Sequence, residues 1–419
     1  MRNSASWIVL LVVLFVPTTS LAGVGRPNIF SALGLGIGGA GFAGVPNPTT
    51  LHYNPAGLVL TRQTAVLGGL ELVIPPRQYE PLDGALEKGK ISISPVPSAA
   101  LSTRLARRGG VHPLPVALGL GFYSTFGGTL AFAEEDVQPG TLSQTMLMLE
   151  LVPAVAYQVT RQLSLGVSVR IGFGSLSLLT NKREGTDTAP ADLSGSGITV
   201  GTTLGGTYEP VPWLRIGVVY GSPMNVEIKG EGSVEVSANN WKDSTFSVEI
   251  PWPQWAAMGL ALVLGESSNL YVGVRWTDWS SFDTMITRMS VIPDAIQDMN
   301  YDDSVSAHLG FESRLHDRFS LRGGISFDTS SIPDSSTDRV SIDMPKVTLA
   351  VGCSVKIMSS LILDVAYEAL FGPIRNVPDV MGTEIDPVTG KPVDVHLNAE
   401  PGRYSSQIHS LALGVRYLY

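Results

Sequence analysis

Ser306 and His308 stand two residues apart in a stretch where apolar and polar side chains alternate, a spacing that places both on one face of a strand. A hydroxyl within reach of an imidazole is the pair from which nucleophilic ester hydrolysis is built. The parity that sends Leu309 and Phe311 to one side sends Ser306 and His308 to the other, and no Gly-x-Ser-x-Gly elbow occurs in the chain. An outer-membrane lipolytic enzyme is thus a rival reading, and the expectation is a protein that is not an enzyme.

The remaining chemistry-bearing residues are thinly spread. Gly34-Leu35-Gly36-Ile37-Gly38-Gly39 fits the spacing of a dinucleotide fingerprint, but no hydrophobic strand leads into it and no βαβ unit follows. Cys353 is the sole cysteine, so neither an intrachain disulfide nor a thiolate cluster for zinc can form, and between Val351 and Val355 it reads as a small apolar residue. Net charge is -9 with Lys and Arg scattered singly, which offers no basic stripe for a run of phosphates. No cofactor, metal or nucleic acid is expected.

What must position these residues is a chain that is 44% hydrophobic, holds 45 glycines and is only 16% charged, too apolar for disorder and short of charge for a soluble enzyme. Arg2, the apolar run Trp7 to Val16, and Ser20-Leu21-Ala22 have the layout of a secretory signal over residues 1–22, cleaved after Ala22. That run rises only about 15 Å as a helix, half of a hydrocarbon core. No other stretch approaches a spanning helix, so a membrane crossing must be made by strands.

Alternation with period two dominates after residue 60. In Gln162 to Gly174 the odd positions Leu163, Leu165, Val167, Val169, Ile171 and Phe173 are apolar, and the even ones are polar or small. The pattern recurs in Arg318 to Asp328, Lys346 to Lys356, Leu361 to Phe371 and Ser410 to Tyr419. About 14 strands follow, among them a single strand over 268–288, with short links alternating regularly with long ones. A soluble sandwich gives no reason for that regularity. In lipid an unpaired backbone group costs several kcal/mol, so the sheet must close on itself.

The fold class expected is therefore all-β, a transmembrane antiparallel β-barrel over residues 61–419. Its polar face lines the lumen with Arg170, Arg322, Asp328, Lys356, Asp364, Glu368 and Arg416. Trp276, Trp279, Phe282, Tyr417 and Tyr419 lie near strand ends where aromatic girdles belong, although Trp276 and Trp279 fall on opposite faces. Lumen charges usually pair with one another; Arg322, Asp328 and Arg170 are also the candidates for contact with a substrate carboxylate.

Residues 23–60 are Gly-rich, compact and not alternating, as an N-terminal hatch folded back into the lumen would be. Pro95-Val96-Pro97 and Gly119 to Gly121 could bend early strands and open the wall. Asn54-Pro55, read alone, also suits an ordinary turn.

Several separated segments resemble the FadL-type transporters of long-chain fatty acids and other hydrophobic compounds in Gram-negative outer membranes. They are Asn54-Pro55-Ala56-Gly57-Leu58 after the Gly-rich start, Pro251-Trp252-Pro253-Gln254, Trp276-Thr277-Asp278-Trp279-Ser280-Ser281-Phe282, Arg322-Gly323-Gly324-Ile325-Ser326-Phe327-Asp328 and Ile332-Pro333. The resemblance implies a 14-stranded barrel closed by an N-terminal hatch. It also implies an apolar pocket near Gly23 to Phe30, gating through Asn54, Pro55, Ala56 and Gly57, and release of cargo sideways into the membrane. Arg26 and Pro27 depart from the family's more apolar opening. The implied partners are a hydrophobic small molecule (fatty acid or hydrocarbon), outer-membrane lipid and the barrel-assembly machinery, with a monomer doing the transport. A general polar porin is the second rival, and it requires an open lumen.

Overall fold

The computed structural model describes residues 30–82, 84–90, 93–106, 113–131, 141–180, 190–237, 240–338, 341–385, 392–396 and 400–419. The expected signal segment and the stretch from Gly23 to Ile29 lie outside the described residues.

Fourteen strands form one closed antiparallel wall: β1 (Ala65–Ile74), β2 (Ser94–Ala106), β3 (Pro113–Ala131), β4 (Thr141–Gln158), β5 (Leu163–Thr180), β6 (Ala191–Val211), β7 (Leu214–Gly221, resumed at Met224–Ser237), β8 (Asn240–Trp252, resumed at Trp255–Leu264), β9 (Ser268–Thr277), β10 (Ser304–His316), β11 (Phe319–Asp328), β12 (Lys346–Met358), β13 (Leu361–Phe371) and β14 (Gly402–Leu418). Closure is made between β1 and β14, in register from Ala65 opposite Leu418 to Ile74 opposite His409. Tight turns at 212–213, 265–267 and 317–318 share one rim, and the long excursions share the other. Among the described residues no helix is long and apolar enough to cross a membrane.

The strand parity inverts the usual inside and outside. On β5, Leu165, Val167, Val169 and Phe173 are exposed while Ser164, Ser168 and Arg170 are buried. Toward the long-loop rim the outward face turns polar: Ser177 on β5, Asp192, Ser194 and Ser196 on β6, and Glu227, Lys229 and Glu231 on β7 are all exposed. That change marks where the apolar band ends.

The expected single strand over 268–288 is not continuous. After Thr277, Asp278 starts a tight turn in which Ser281 Oγ donates to the Asp278 carbonyl (2.8 Å) and Ser280 Oγ to its carboxylate (3.1 Å). Short polar side chains bonding to nearby backbone compete with a ladder in this way. Beyond the turn, Thr284–Met289 pairs with Ala295–Asp298 and with Phe246 to Val248 of β8. The turn also carries Trp279 and Phe282 inward, where they are 1% and 4% exposed, so neither belongs to a lipid girdle. Trp276 stays on the wall and donates from Nε1 to Asp303 (2.9 Å), and Tyr417 and Tyr419 are exposed at the short-turn rim.

The core is the lumen. Residues 30–60 fold as α1 (Ser31–Gly36), two 3-10 turns (Gly41–Ala43 and Pro55–Leu60) and α2 (Thr50–Tyr53), nearly all of them buried.

Candidate functional site

The N-terminal segment meets the wall at a belt of glycines. A Cβ at Gly166 would lie 2.4 Å from the Ala56 nitrogen, one at Gly217 would lie 2.2 Å from the Phe42 carbonyl oxygen, and one at Gly324 would lie 2.2 Å from the Gly38 nitrogen. Only a bare Cα on the wall lets two backbones approach this closely. The belt crosses from strand to strand in register, as in Gly217 opposite Gly259 and Gly259 opposite Gly273.

Asn54 is fully buried; Asn54, Pro55 and Ala56 lie against Gly166 of β5 and Gly205 of β6, whereas Gly57 packs within the segment against Thr50 and Gly44. The Asn54 amide donates to the Phe42 carbonyl (2.9 Å) and the Gly206 carbonyl (3.2 Å), while its Oδ1 accepts from the Ala56 N–H (3.1 Å). Pro55 follows as the first residue of the next turn, where its missing N–H costs nothing. Phe30, at the start of the described segment, packs at a tilt against Tyr123 with ring centroids 4.8 Å apart and lies 6.1 Å from His52. Burial, with the Arg275 and Arg170 charges adding to it, pulls the His52 imidazole down to about 3.

Two of the three candidate lumen charges are committed to partners. Arg170 grips Glu150 with Nε (2.8 Å) and Nη2 (2.7 Å), and Thr125 Oγ1 donates to the same carboxylate. Arg322 donates from Nε to Glu312 (2.9 Å), with its Nη1 3.5 Å from Asp364; Arg416 closes bidentately on Asp364 at 2.6 and 2.9 Å. Asp328 is different: it is 7% exposed and its Oδ2 has no hydrogen-bond partner among the described residues. Ser306 and His308 do meet, with His308 Nε2 2.9 Å from Ser306 Oγ and Nδ1 2.8 Å from the Gly38 carbonyl. The imidazole thus braces the wall against the N-terminal segment.

Toward the long-loop rim the interior becomes apolar. Met146, Met148, Met224, Phe246, Trp252 and Trp279 belong to one buried cluster that reaches across to Tyr301 and Ile332 in the loops. Unbranched, polarizable methionines fill irregular gaps in such a cluster. Along the wall, β2 keeps its ladder to β1 over Ser94 to Ser102, but pairs with β3 only from Ala99 downward. Pro95 and Pro97 explain this: residues two apart point their N–H groups to the same edge, and both prolines lack one. Phe30, Ser31, Ser98, Tyr123 and Ser124 line a recess at that gap, together with Leu70 and Leu413, both exposed on the outer face.

The sequence model of the outer membrane protein transport protein family (OMPP1/FadL/TodX) matches residues 13–400. The chain belongs to this family. As a family member it is an outer-membrane β-barrel, and its short-turn rim is by the usual rule the periplasmic one. Among solved structures it is similar to a FadL homologue of Pseudomonas aeruginosa, with a TM-score of 0.77 at 16% identity over 94% of this chain and 99% of that one. It is also similar to the toluene transporter TodX of Pseudomonas putida (TM-score 0.74, 16% identity, 95% and 99% covered). A third is the toluene transporter TbuX of Ralstonia pickettii (TM-score 0.69, 19% identity, 93% and 98% covered). Identities this low establish the shared barrel. No curated protein matches the chain.

Sequence reasoning passed over Arg275 and Trp255. Arg275 Cζ lies 4.3 Å from the centroid of the Trp255 ring inside the barrel. The signal was present in the alternation of β9, where Tyr271, Gly273 and Arg275 share the luminal parity.

Proposed function

We propose that the protein carries a small hydrophobic compound inward across the outer membrane, passively and as a monomer, with residues 30–60 acting as its hatch. The observation that carries this reading is the meeting, at Phe30, of the hatch's apolar start with the stretch of wall where β2 and β3 are not laddered. Cargo gathered in the methionine-lined upper lumen would leave sideways there, into the membrane. That route suits a greasy molecule, because each methylene kept out of water is favoured by about 0.8 kcal/mol. The relatives of the same fold include two toluene transporters and a FadL homologue, which supports monoaromatic hydrocarbons or fatty acids as the class of cargo.

Proteoliposomes holding the full chain test the proposal. They are expected to take up labelled toluene or oleate faster than protein-free vesicles while excluding small sugars. Rapid, unselective sugar entry would instead indicate a polar porin.

A further inference from the structure

We infer that the lumen holds a subsite for a neutral hydroxyl head group, so that the preferred cargo is an amphiphile ending in an alcohol or phenol. The inference rests on the reading of the chain as a carrier of hydrophobic compounds and moves the preferred cargo from hydrocarbons and fatty acids to their hydroxyl-bearing counterparts.

Arg275, Ser306 and Asp328 are direct cross-strand neighbours on the luminal face of β9, β10 and β11: Arg275 stands opposite Ser306, and Ser306 opposite Asp328. Two strand spacings put the backbones of the cation and the carboxylate about 10 Å apart. The row sits just above the hatch, since Gly273, two residues before Arg275, faces the Phe42 ring. Among the described residues Arg275 forms no ion pair, and neither its Nε nor Asp328 Oδ2 has a hydrogen-bond partner. Ser326, next to Asp328 on the same face and 1% exposed, likewise leaves its Oγ without one. Trp255 braces the guanidinium by lying under it rather than by neutralising it.

Buried polar atoms without partners are costly unless a bound group supplies them. A hydrocarbon supplies nothing. A carboxylate would satisfy Arg275 but crowd its charge against Asp328. A hydroxyl does both tasks, accepting from Arg275 Nε and donating to Asp328 Oδ2. Ser306 can also receive it. The Gly38 carbonyl can only accept, so His308 carries its proton on Nδ1 and takes the Ser306 hydroxyl proton at Nε2, leaving the Ser306 oxygen as an acceptor.

The test uses the full chain in lipid nanodiscs, equilibrated with radiolabelled decan-1-ol, decanoate or decane and compared with empty discs. The wild type is expected to retain decan-1-ol about tenfold above decane, the worth of one hydrogen bond to a charged group. Asp328→Asn removes the negative charge and is expected to invert the preference, with decanoate overtaking decan-1-ol. Arg275→Gln is expected to bring decan-1-ol down to the level of decane. Equal retention of all three compounds by the wild type overturns the hydroxyl subsite while leaving the transport reading in place; so does an unchanged order in a folded Asp328→Asn variant. Retention of none of them above empty discs overturns both.

Discussion

The Asn54 side-chain nitrogen donates at once to Phe42 within the N-terminal segment and to Gly206 in the barrel wall, so one buried amide joins two parts of the chain 152 residues apart. Asn54→Asp keeps the shape but turns that donor into an acceptor facing two carbonyls. Each carbonyl left buried and unpaired costs about 1–3 kcal/mol. The expected result is a barrel that still assembles but leaks small sugars, read by liposome swelling; swelling no faster than in the wild type would refute the amide's role as a fastener.

The glycine belt makes a sharper steric case. Gly166→Val places a Cβ against the Ala56 backbone, which cannot swing aside as a side-chain tip can. A loss of about 1–3 kcal/mol, as for overpacking elsewhere, is expected as a lower thermal unfolding midpoint. Gly323→Ala is the control, because nothing lies within 4 Å of a Cβ there, and its midpoint should match the wild type.

Much of the architecture was legible because lipid makes strand parity strict: one register slip on β5 would turn Arg170 outward and Val169 inward. The closure of β1 on β14 follows from the same constraint. The break after Thr277 was not legible, since it is made by side-chain bonds of Asp278, Ser280 and Ser281 and by the distant Asp303, which accepts from the Ser280 N–H. The candidate site was legible as a set of residue types and not as a pattern of pairing. Sequence placed Arg170, Arg322 and Asp328 in the lumen, but which of them has a partner depends on Glu150, Glu312 and Asp364, on strands no local pattern links to them.

Arg170 and Glu150 are 7% and 0% exposed and make a two-point contact. Breaking such a pair strands a buried charge at a cost of about 3–5 kcal/mol, whereas replacing both partners with apolar residues is often close to neutral. Glu150→Leu alone should lower the temperature at which the folded barrel stops migrating as a compact species on gels. Glu150→Leu combined with Arg170→Leu should recover most of the loss, and failure of the pair to recover it would show that each residue acts separately.

His52 gives the N-terminal segment a pH dependence. Its folded value, about 3, lies below the ordinary 6.5, so between those values the undocked segment binds more protons than the docked one. Its contribution to docking is complete above about pH 6.5 and is lost as pH falls toward 3. Sugar leakage should therefore rise between pH 6.5 and pH 4 in the wild type. His52→Gln should flatten that rise, and a wild type equally tight at both pH values would contradict the assignment.

The wall beside Phe30 yields a prediction that separates the exit route from folding. Pro95 and Pro97 deny two N–H groups to the edge of β2 that faces β3, while β2 stays laddered to β1 through the same stretch. Pro95→Val combined with Pro97→Thr restores both donors and adds β-branched side chains suited to a strand. The ladder to β3 should then extend above Ala99, raising thermal stability. If cargo leaves through this wall, uptake of a labelled hydrophobic compound should fall to a minor fraction of the wild-type rate while the vesicles stay closed to sugars. A variant that is more stable and equally fast would mean that the unladdered wall is not the exit, and that cargo passes instead along the lumen toward the periplasmic rim.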